Sequence, residues 1–323
     1  MLFENYTRSE SALIASMAEM VVCGVSTRKV SRVVETLCGT SISKSAVSDA
    51  CKDLDKEVES FRNRPLEGNY PVLVVDATYF RVRENGRIIS KALMIAVGTD
   101  GRGRREIIGF SAYPNESKET WTDFLMSLKR RGLCGVTTLI SDAHEGIIHA
   151  QKKVFPEVAW QRCQFHFSRN ISDKAPKKYQ SGLRAELQEM FHAETIEGCR
   201  KKRDEILAEY SDVAPEAMKC LDEGFESAMT VMVFPKSLRR FFRTSNHIER
   251  LNKELKRRSK VIGVFPNEQS LIRLIGAVLI EQNSVYQSGR AVFGKDGYQK
   301  FLESDIRNCL HQIAEEQKNL LAA

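Results

Sequence analysis

The sequence predicts an α/β fold: a five-stranded mixed sheet with helical segments before it, inside it and after it. Three observations carry that expectation. Residues 72 to 167 alternate in the order strand, strand, strand, helix, strand, helix, strand. Two turn signals, Asn85-Gly86 and Asp100-Gly101, join the first three strands into a meander. Residues 8 to 62 and 169 to 234 instead show helical periodicity, the latter rich in Glu and Lys and punctuated by Pro176, Pro215 and Pro235.

In chain order, "SESALIASMAEMVVCG" reads as a helix stopped at Gly24, and "STRKVSRVVETLCG" as one capped by Ser/Thr and stopped at Gly39. "SISKSAVSDACKDLDKEVESF" begins with Ser caps and continues as a charged helix. Two short helices, a Gly turn and a third helix resemble a helix-turn-helix; a plain helical bundle gives the same pattern. "RPLEGNYP" is a linker with two prolines. "VLVVDATYFRVR" is the first strand, and "IISKALMIAVGTDGRGRREIIGFSAY" holds the next two. "SKETWTDFLMSLKRRG" is a helix with a capping-box start and a Gly stop. "VTTLISD" is a buried strand, "HEGIIHAQKKVF" a helix and "EVAWQRCQFHF" a further strand. Helices resume from 246, break at "GVFPN" and run on through "EQSLIRLIGAVLIEQN".

Composition narrows the function classes. The chain has 42% hydrophobic and 28% charged residues and a net charge of +7. Residues 236 to 260 hold ten Lys/Arg against two Glu, so the positive charge is concentrated in one segment. That favours an anionic partner such as nucleic acid. The eight cysteines are scattered without a CxxC pair and read as reduced thiols. No signal peptide and no apolar run of about 20 residues is seen, so a cytoplasmic protein without a membrane partner is expected.

Two aspartates end apolar strands: Asp76 follows "VLVV" and Asp142 follows "TTLIS". In the predicted strand order their strands are central neighbours. The carboxylates then repel and one pKa rises, unless they share a cation. Oxygen ligands with open positions suit Mg²⁺, and two such ions about 3.5–4 Å apart assist both the attacking and the leaving oxygen of a phosphodiester. The bland alternative is that each Asp caps a turn. A third carboxylate is available in "SNHIERLNKELKRRSK". There Ile248, Leu251 and Leu255 form an apolar stripe, with Glu249 and Glu254 on its two flanks. Helical spacing does not choose between them, and either also fits a salt-bridge partner. Cys163 and His166 form a Cys-x-x-His element, half a zinc site with no clear second half. His144 and Glu145 are candidates or simply first-turn helix residues, and Trp121 and Trp160 read as core.

The segments "VVDATYFRVR", "ISDAHEGI", "WQRCQFHFSRN" and "NHIERLNKELKRRSKVIGVFPNEQSLIRL", in this order, resemble the Mutator-type transposases of bacterial insertion sequences. The resemblance runs from about residue 8 to 285. It implies a ribonuclease-H-like fold with a helical insertion before the last of three catalytic acids. Matched residue by residue, the acids are Asp76, Asp142 and Glu249, spaced by 66 and 107 residues. They are the implied ligands of Mg²⁺, with Mn²⁺ an acceptable substitute. His166 is implied beside the site, contacting the scissile phosphate or ordering an acid, with Cys163 packed beneath. Arg250, Lys253, Lys256, Arg257, Arg258 and Lys260 then grip DNA, and Glu254 remains a salt-bridge partner.

The implied organisation is a DNA-binding helical unit (1–64), a catalytic domain in two parts (72–168 and 236–285), the insertion (169–235) and a C-terminal tail (286–323). The implied function is a transposase, expected as a homodimer associated with the nucleoid. It binds terminal inverted repeats in double-stranded DNA, cleaves a strand and joins the 3′-OH to target DNA. The competing expectations are a nuclease or resolvase on the same fold, and a non-catalytic repressor that occupies the repeats. Family members carry a longer segment ahead of the part matching residue 8, so a shortened or divergent form is expected, with its acidic triad complete.

Overall fold

A computed structural model describes residues 13–38, 42–289 and 293–319. The chain enters through helical residues 13–22 (α1), α2 (Thr27–Cys38), α3 (Lys44–Ala50) and α4 (Leu54–Asn63). Gly24 ends the first helix with φ +91°, a conformation favouring glycine; the expected stop at Gly39 lies outside the described residues. Ser43 caps α3 by accepting from the Ala46 amide. The helix expected to run unbroken from there is divided by a 3₁₀ turn at Cys51–Asp53.

The meander follows: β1 (Val72–Glu84), β2 (Arg87–Thr99) and β3 (Arg105–Tyr113). Asn85 and Gly86 both take positive φ (49° and 76°), as a two-residue primed hairpin turn requires. The second turn is wider than the expected dipeptide: Asp100 Oδ1 accepts from the amides of Arg102 and Arg104. Then come α5 (Lys118–Arg130), β4 (Thr138–Ser141), α6 (Glu145–Val154) and β5 (Ala159–Arg162). Ser117 and Thr120 close the expected capping box on α5.

The sheet order is β3-β2-β1-β4-β5, antiparallel between the first three strands and parallel from β1 to β5. This is the α/β, ribonuclease-H-like arrangement expected, with β1 and β4 adjacent at its centre. One sheet face packs Leu73, Val75 and Met94 against Trp121, Leu125 and Ile147 of α5 and α6.

The last expected strand is shorter than its sequence suggests. β5 stops at Arg162, the Cys163 amide makes a final bond to the Ser141 carbonyl (2.7 Å), and Gln164–Asp173 is a helix, α7. The Phe165-His166-Phe167 run imitates strand alternation. The burial of Gln164, Phe167 and Ile171 has the helical period, and the turn sets Cys163 and His166 on one side of its first coil.

The insertion continues with α8 (Gln180–His192), α9 (Ile196–Tyr210) and α10 (Pro215–Met229), with its own core around Leu187, Ile206 and Phe225. It docks closely: a Cβ at Gly224 would meet the Phe167 ring at 2.3 Å and the Arg162 guanidinium at 2.4 Å. After α11 (Lys236–Phe242) come α12 (Asn246–Ser259) and α13 (Glu268–Ser288). Ile248, Leu251 and Leu255 of α12 join the core on the second sheet face, beside Val74 and Phe80. Finally α14 (Lys295–Phe301) leads to α15 (Ser304–Asn319). Gln317 of α15 gives β5 a substitute strand, accepting from the Trp160 amide and donating to its carbonyl, both at 2.8 Å.

Candidate active site

β1 and β4 pair in register up to Val74↔Ile140, so Asp76 and Asp142 lie two residues past the same rung, where the parallel ladder ends. Asp76 Oδ1 accepts from the Ala77 amide (2.9 Å), and Oδ2 accepts from Asn252 Nδ2 of α12 (2.8 Å). Asp142 Oδ1 accepts from the His144 amide (3.2 Å). The preceding Ser141 is braced by the Trp160 indole N–H, which donates to its Oγ (3.0 Å), so Trp160 packs and positions rather than stacks. Burial and the Asp142 charge push the Asp76 carboxyl up to about pH 7, the repulsion expected of adjacent acids.

Helix α12 brings the third acid. Glu249 lies in its first turn, where the helix dipole favours a carboxylate. Ser245 Oγ donates to Glu249 Oε1 (3.4 Å), and His166 Nε2 stands 3.8 Å from the same oxygen. Glu254 is turned away and bound by Arg257 and Arg258 at 2.7 Å each, which drives its pKa down to about 2. The two flanks of the helix are therefore unlike: one acid meets a serine hydroxyl and a histidine, and the other is neutralised by two arginines.

Beneath Glu249, Cys163 is fully buried and accepts from the Ser245 amide (3.4 Å) and hydroxyl (3.3 Å). Burial alone would raise its thiol pKa, but the His166 and Ser245 contacts outweigh that and lower it. The Cys163 sulfur, followed by the charges of Glu249 and Asp142, raises His166 to about 9 against the opposing effect of burial. The imidazole is thus cationic at neutral pH beside the acids.

Asp76, Asp142 and Glu249 offer carboxylate oxygens, the donor type that fits a hard divalent cation, and His166 feels the charge of both Glu249 and Asp142. The raised Asp76 pKa supports the same fit, because such an ion relieves the repulsion that raises it. Cys163, His166 and Glu249 also bring one ligand atom each within 4.8 Å of one another. The Ser245 amide and hydroxyl already donate to that sulfur.

The neighbouring candidates divide clearly. His144 is the N-cap of α6, its Nδ1 accepting from the Gly146 amide, and Glu145 is an exposed first-turn acid paired with Lys118. Arg250, Lys253 and Lys260 are exposed on α12 with no ion pair among the described residues. Lys256 caps the Tyr79 carbonyl and lies 4.2 Å over the Phe80 ring, and Arg257 is exposed but tied to Glu254. Arg258 departs from the expected DNA-facing set. It is 7% exposed, bidentate to Glu281 at 2.5 and 2.8 Å and also bonded to Glu254, because its place on the helix faces α1 and α13.

Asn252 and Ser245 were not singled out from the sequence. Both lie on the Glu249 side of α12, one turn after and one turn before it, and that spacing is the signal that finds them. The seven cysteines whose side chains are described are all free, and no helix among the described residues is long and apolar enough to cross a membrane.

Two adjacent strand-end aspartates on a ribonuclease-H-like sheet, crossed by a basic helix that carries a third acid, are the arrangement expected of enzymes that act on polynucleotide phosphodiesters. Residues 1–289 match the family model "Transposase, Mutator family". The chain is 46% identical over 296 residues to the transposase for insertion sequence element IS256 in transposon Tn4001 of Staphylococcus aureus, covering 90% of this chain and 76% of that protein. It is 38% identical over 306 residues to the transposase for insertion sequence element ISRM5 of Rhizobium meliloti, covering 95% and 77%. The transposase for IS1081 of Mycobacterium tuberculosis is 38% identical over 294 residues, covering 91% and 71%. The chain belongs to the Mutator family of transposases.

Proposed function

We propose that this chain binds the terminal inverted repeats of its own insertion sequence and, with Mg²⁺, cleaves a DNA strand and transfers the resulting 3′-OH to target DNA. The observation that supports this most is the meeting of Asp76 and Asp142 at one end of the central strand pair, faced by α12 with Glu249. These three side chains would hold the ions, with Mn²⁺ an acceptable substitute. When bound, such ions activate the attacking oxygen and stabilise the leaving one.

The chain's own residues do the rest. Asn252 holds the Asp76 carboxylate, and Ser245 and His166 hold Glu249. His166, kept protonated by its surroundings, offers positive charge to a scissile phosphate. Cleavage and joining differ only in the attacking oxygen, water or a sugar hydroxyl, so one site serves both without a covalent protein intermediate. Arg250, Lys253, Lys256, Arg257 and Lys260 grip the backbone; the inward-facing Arg258 is not part of that grip. Residues 1–64 form the DNA-binding helical unit, 72–168 and 236–285 the catalytic domain around the insertion 169–235, and 286–323 the tail. The protein acts as a homodimer, one protomer for each element end.

The test is incubation of purified protein with labelled element ends and plasmid, in Mg²⁺ and in EDTA. Cleaved and joined products are expected only in Mg²⁺. Asp76→Asn and Asp142→Asn are expected to abolish both while leaving DNA binding nearly intact. Joined products from either variant, or their formation in EDTA, would sink the proposal.

A further inference from the structure

The strand that carries Asp76 does not end at the site. β4 pairs with β1 only to Val74, and β3 pairs with β2 only from Ala92 onward. Residues 80–84 and 87–91 therefore pair with each other beyond the rest of the sheet and leave it as a two-stranded ribbon, bridged only at Phe265. Its inward row is accounted for. Phe80 and Val82 are buried, Phe265 exchanges backbone bonds with Arg81 and Arg83, and Lys91 lies between Glu84 and Glu268.

The outward row is different. Tyr79, Arg81 and Arg83 alternate along β1 on the exposed side, opposite Ala92, Ser90 and Ile88, and Arg87 stands exposed at the tip. None of the three guanidinium groups has an ion pair or hydrogen-bond partner among the described residues. Charges on an exposed ribbon can simply guard against strand pairing between molecules. Two features point elsewhere. The guanidinium type recurs at alternate positions in the middle of a face, where it matches phosphate geometry. The ribbon is also pinned alongside the basic helix α12 and its following turn, through Asn252–Asp76, Lys256–Tyr79 and Phe265. It thus leaves the acids along the second half of α12, past the exposed Lys256.

We propose that the outward face of this ribbon is a DNA-backbone contact surface, with Arg81, Arg83 and Arg87 engaging phosphates of the duplex that flanks the reacting phosphodiester. This rests on the DNA-processing function proposed above. Arg81 and Arg83 lie five and seven residues along β1 from Asp76, about 17 and 23 Å at about 3.3 Å per residue. At about 3.4 Å per base pair, those reaches correspond to about five and seven base pairs from the reacting bond. The surface reads no sequence; it lengthens the footprint and steepens its salt dependence.

The experiment measures binding across a salt series. It uses duplexes truncated about three base pairs beyond the cleavage position, on either side in turn, and the same duplexes extended to about ten. The proteins are the wild-type chain, an Arg81→Gln/Arg83→Gln/Arg87→Gln variant and the corresponding triple lysine variant. Wild type is expected to gain about tenfold in affinity from one of the two extensions. The glutamine variant loses that gain and two to three units of log–log salt slope, while matching wild type on the truncated duplex; lysine restores most of both. Equal affinities and slopes for all three proteins overturn the inference. So does glutamine-variant aggregation with unaltered binding, which assigns the arginines to guarding the ribbon. Failure of the wild type to bind either duplex instead removes the function on which the inference rests.

Discussion

The two halves of helix α12 use the same residue types to opposite ends. In the first half, Glu249 is supported only by the Ser245 hydroxyl and the His166 ring. In the second half, Glu254 is saturated by two arginines, and Arg258 by two glutamates. A carboxylate whose partners are all cationic side chains is a structural part. One held only by a hydroxyl and a histidine keeps lone pairs free for a cation, as the proposed metal-binding role requires. Partnership, not composition, separates the two.

The sharpest way to break this comparison is to neutralise each glutamate in turn. Glu249→Gln is expected to reduce strand cleavage by at least about a thousandfold with thermal stability unchanged, since it removes one implied metal ligand and no packing. Glu254→Gln should leave cleavage within about threefold of wild type and lower thermal stability instead. Cleavage rates and melting curves on both proteins decide the matter. A Glu254→Gln protein without activity but with a normal melting temperature would reverse the assignment.

How much of this was legible beforehand differs residue by residue. The strand order followed from apolar runs and turn dipeptides, so the adjacency of Asp76 and Asp142 could be read from the pattern alone. The choice between Glu249 and Glu254 could not be read from periodicity, because both flank the Ile248–Leu251–Leu255 stripe. It depends on Arg258 meeting Glu281 from α13, a partner 23 residues away. The inward turn of Arg258 was hidden for the same reason: in sequence it is one more cation in a basic run. The switch from strand to helix at Cys163 was masked by two aromatics flanking His166. It shows only in the i, i+3, i+7 burial of Gln164, Phe167 and Ile171.

The second test weighs the helix's cations against each other. Arg258→Ala removes a buried guanidinium and leaves Glu281 without its partner, while Glu254 keeps Arg257 and both acids stay partly hydrated. A loss of about 2–3 kcal/mol is expected, read from denaturant unfolding. Arg250→Ala, at an exposed and unpaired position, should change stability by less than about 0.5 kcal/mol and lower the DNA-binding salt slope by about one unit. Equal destabilisation by the two substitutions would contradict the division of the helix.

Asp76 allows the site to be probed through pH. A carboxyl at about 7 in the folded chain, against an ordinary value of 3.8, binds more protons folded than unfolded across that interval. The metal-free protein therefore loses stability as pH rises from about 4 to 7, and above 7 the full penalty is present. In EDTA, Asp76→Asn is expected to be more stable than wild type at pH 8, on the order of 2 kcal/mol. That is less than the full shift implies, since the carboxylate keeps some exposure to water. The difference should vanish near pH 4. Adding Mg²⁺ at pH 8 should raise the wild-type melting temperature and leave that of the variant unmoved. A variant no more stable than wild type at pH 8 would mean that the acids do not strain one another.

The smallest effect tests the most local contact. Asn252 donates to Asp76 Oδ2 at 2.8 Å, while its own amide oxygen is buried without a partner. Removing the donor in Asn252→Ala frees the carboxylate to rotate without removing a negative charge. A positioning loss of about 1.4 kcal/mol is a tenfold change in an equilibrium constant, so the Mg²⁺ concentration for half-maximal cleavage should rise about tenfold. The maximal rate at saturating Mg²⁺ should fall much less. Metal-induced thermal stabilisation should shift to higher Mg²⁺ by the same factor, a readout independent of turnover. Asn252→Asp adds a fourth carboxylate beside Asp76, so it should weaken the metal-free fold further and let Mg²⁺ recover more stability than in wild type. If Asn252→Ala binds Mg²⁺ as wild type does and differs only in maximal rate, Asn252 touches the reacting DNA rather than the carboxylate, and the ordered half of α12 extends one turn further than its acid.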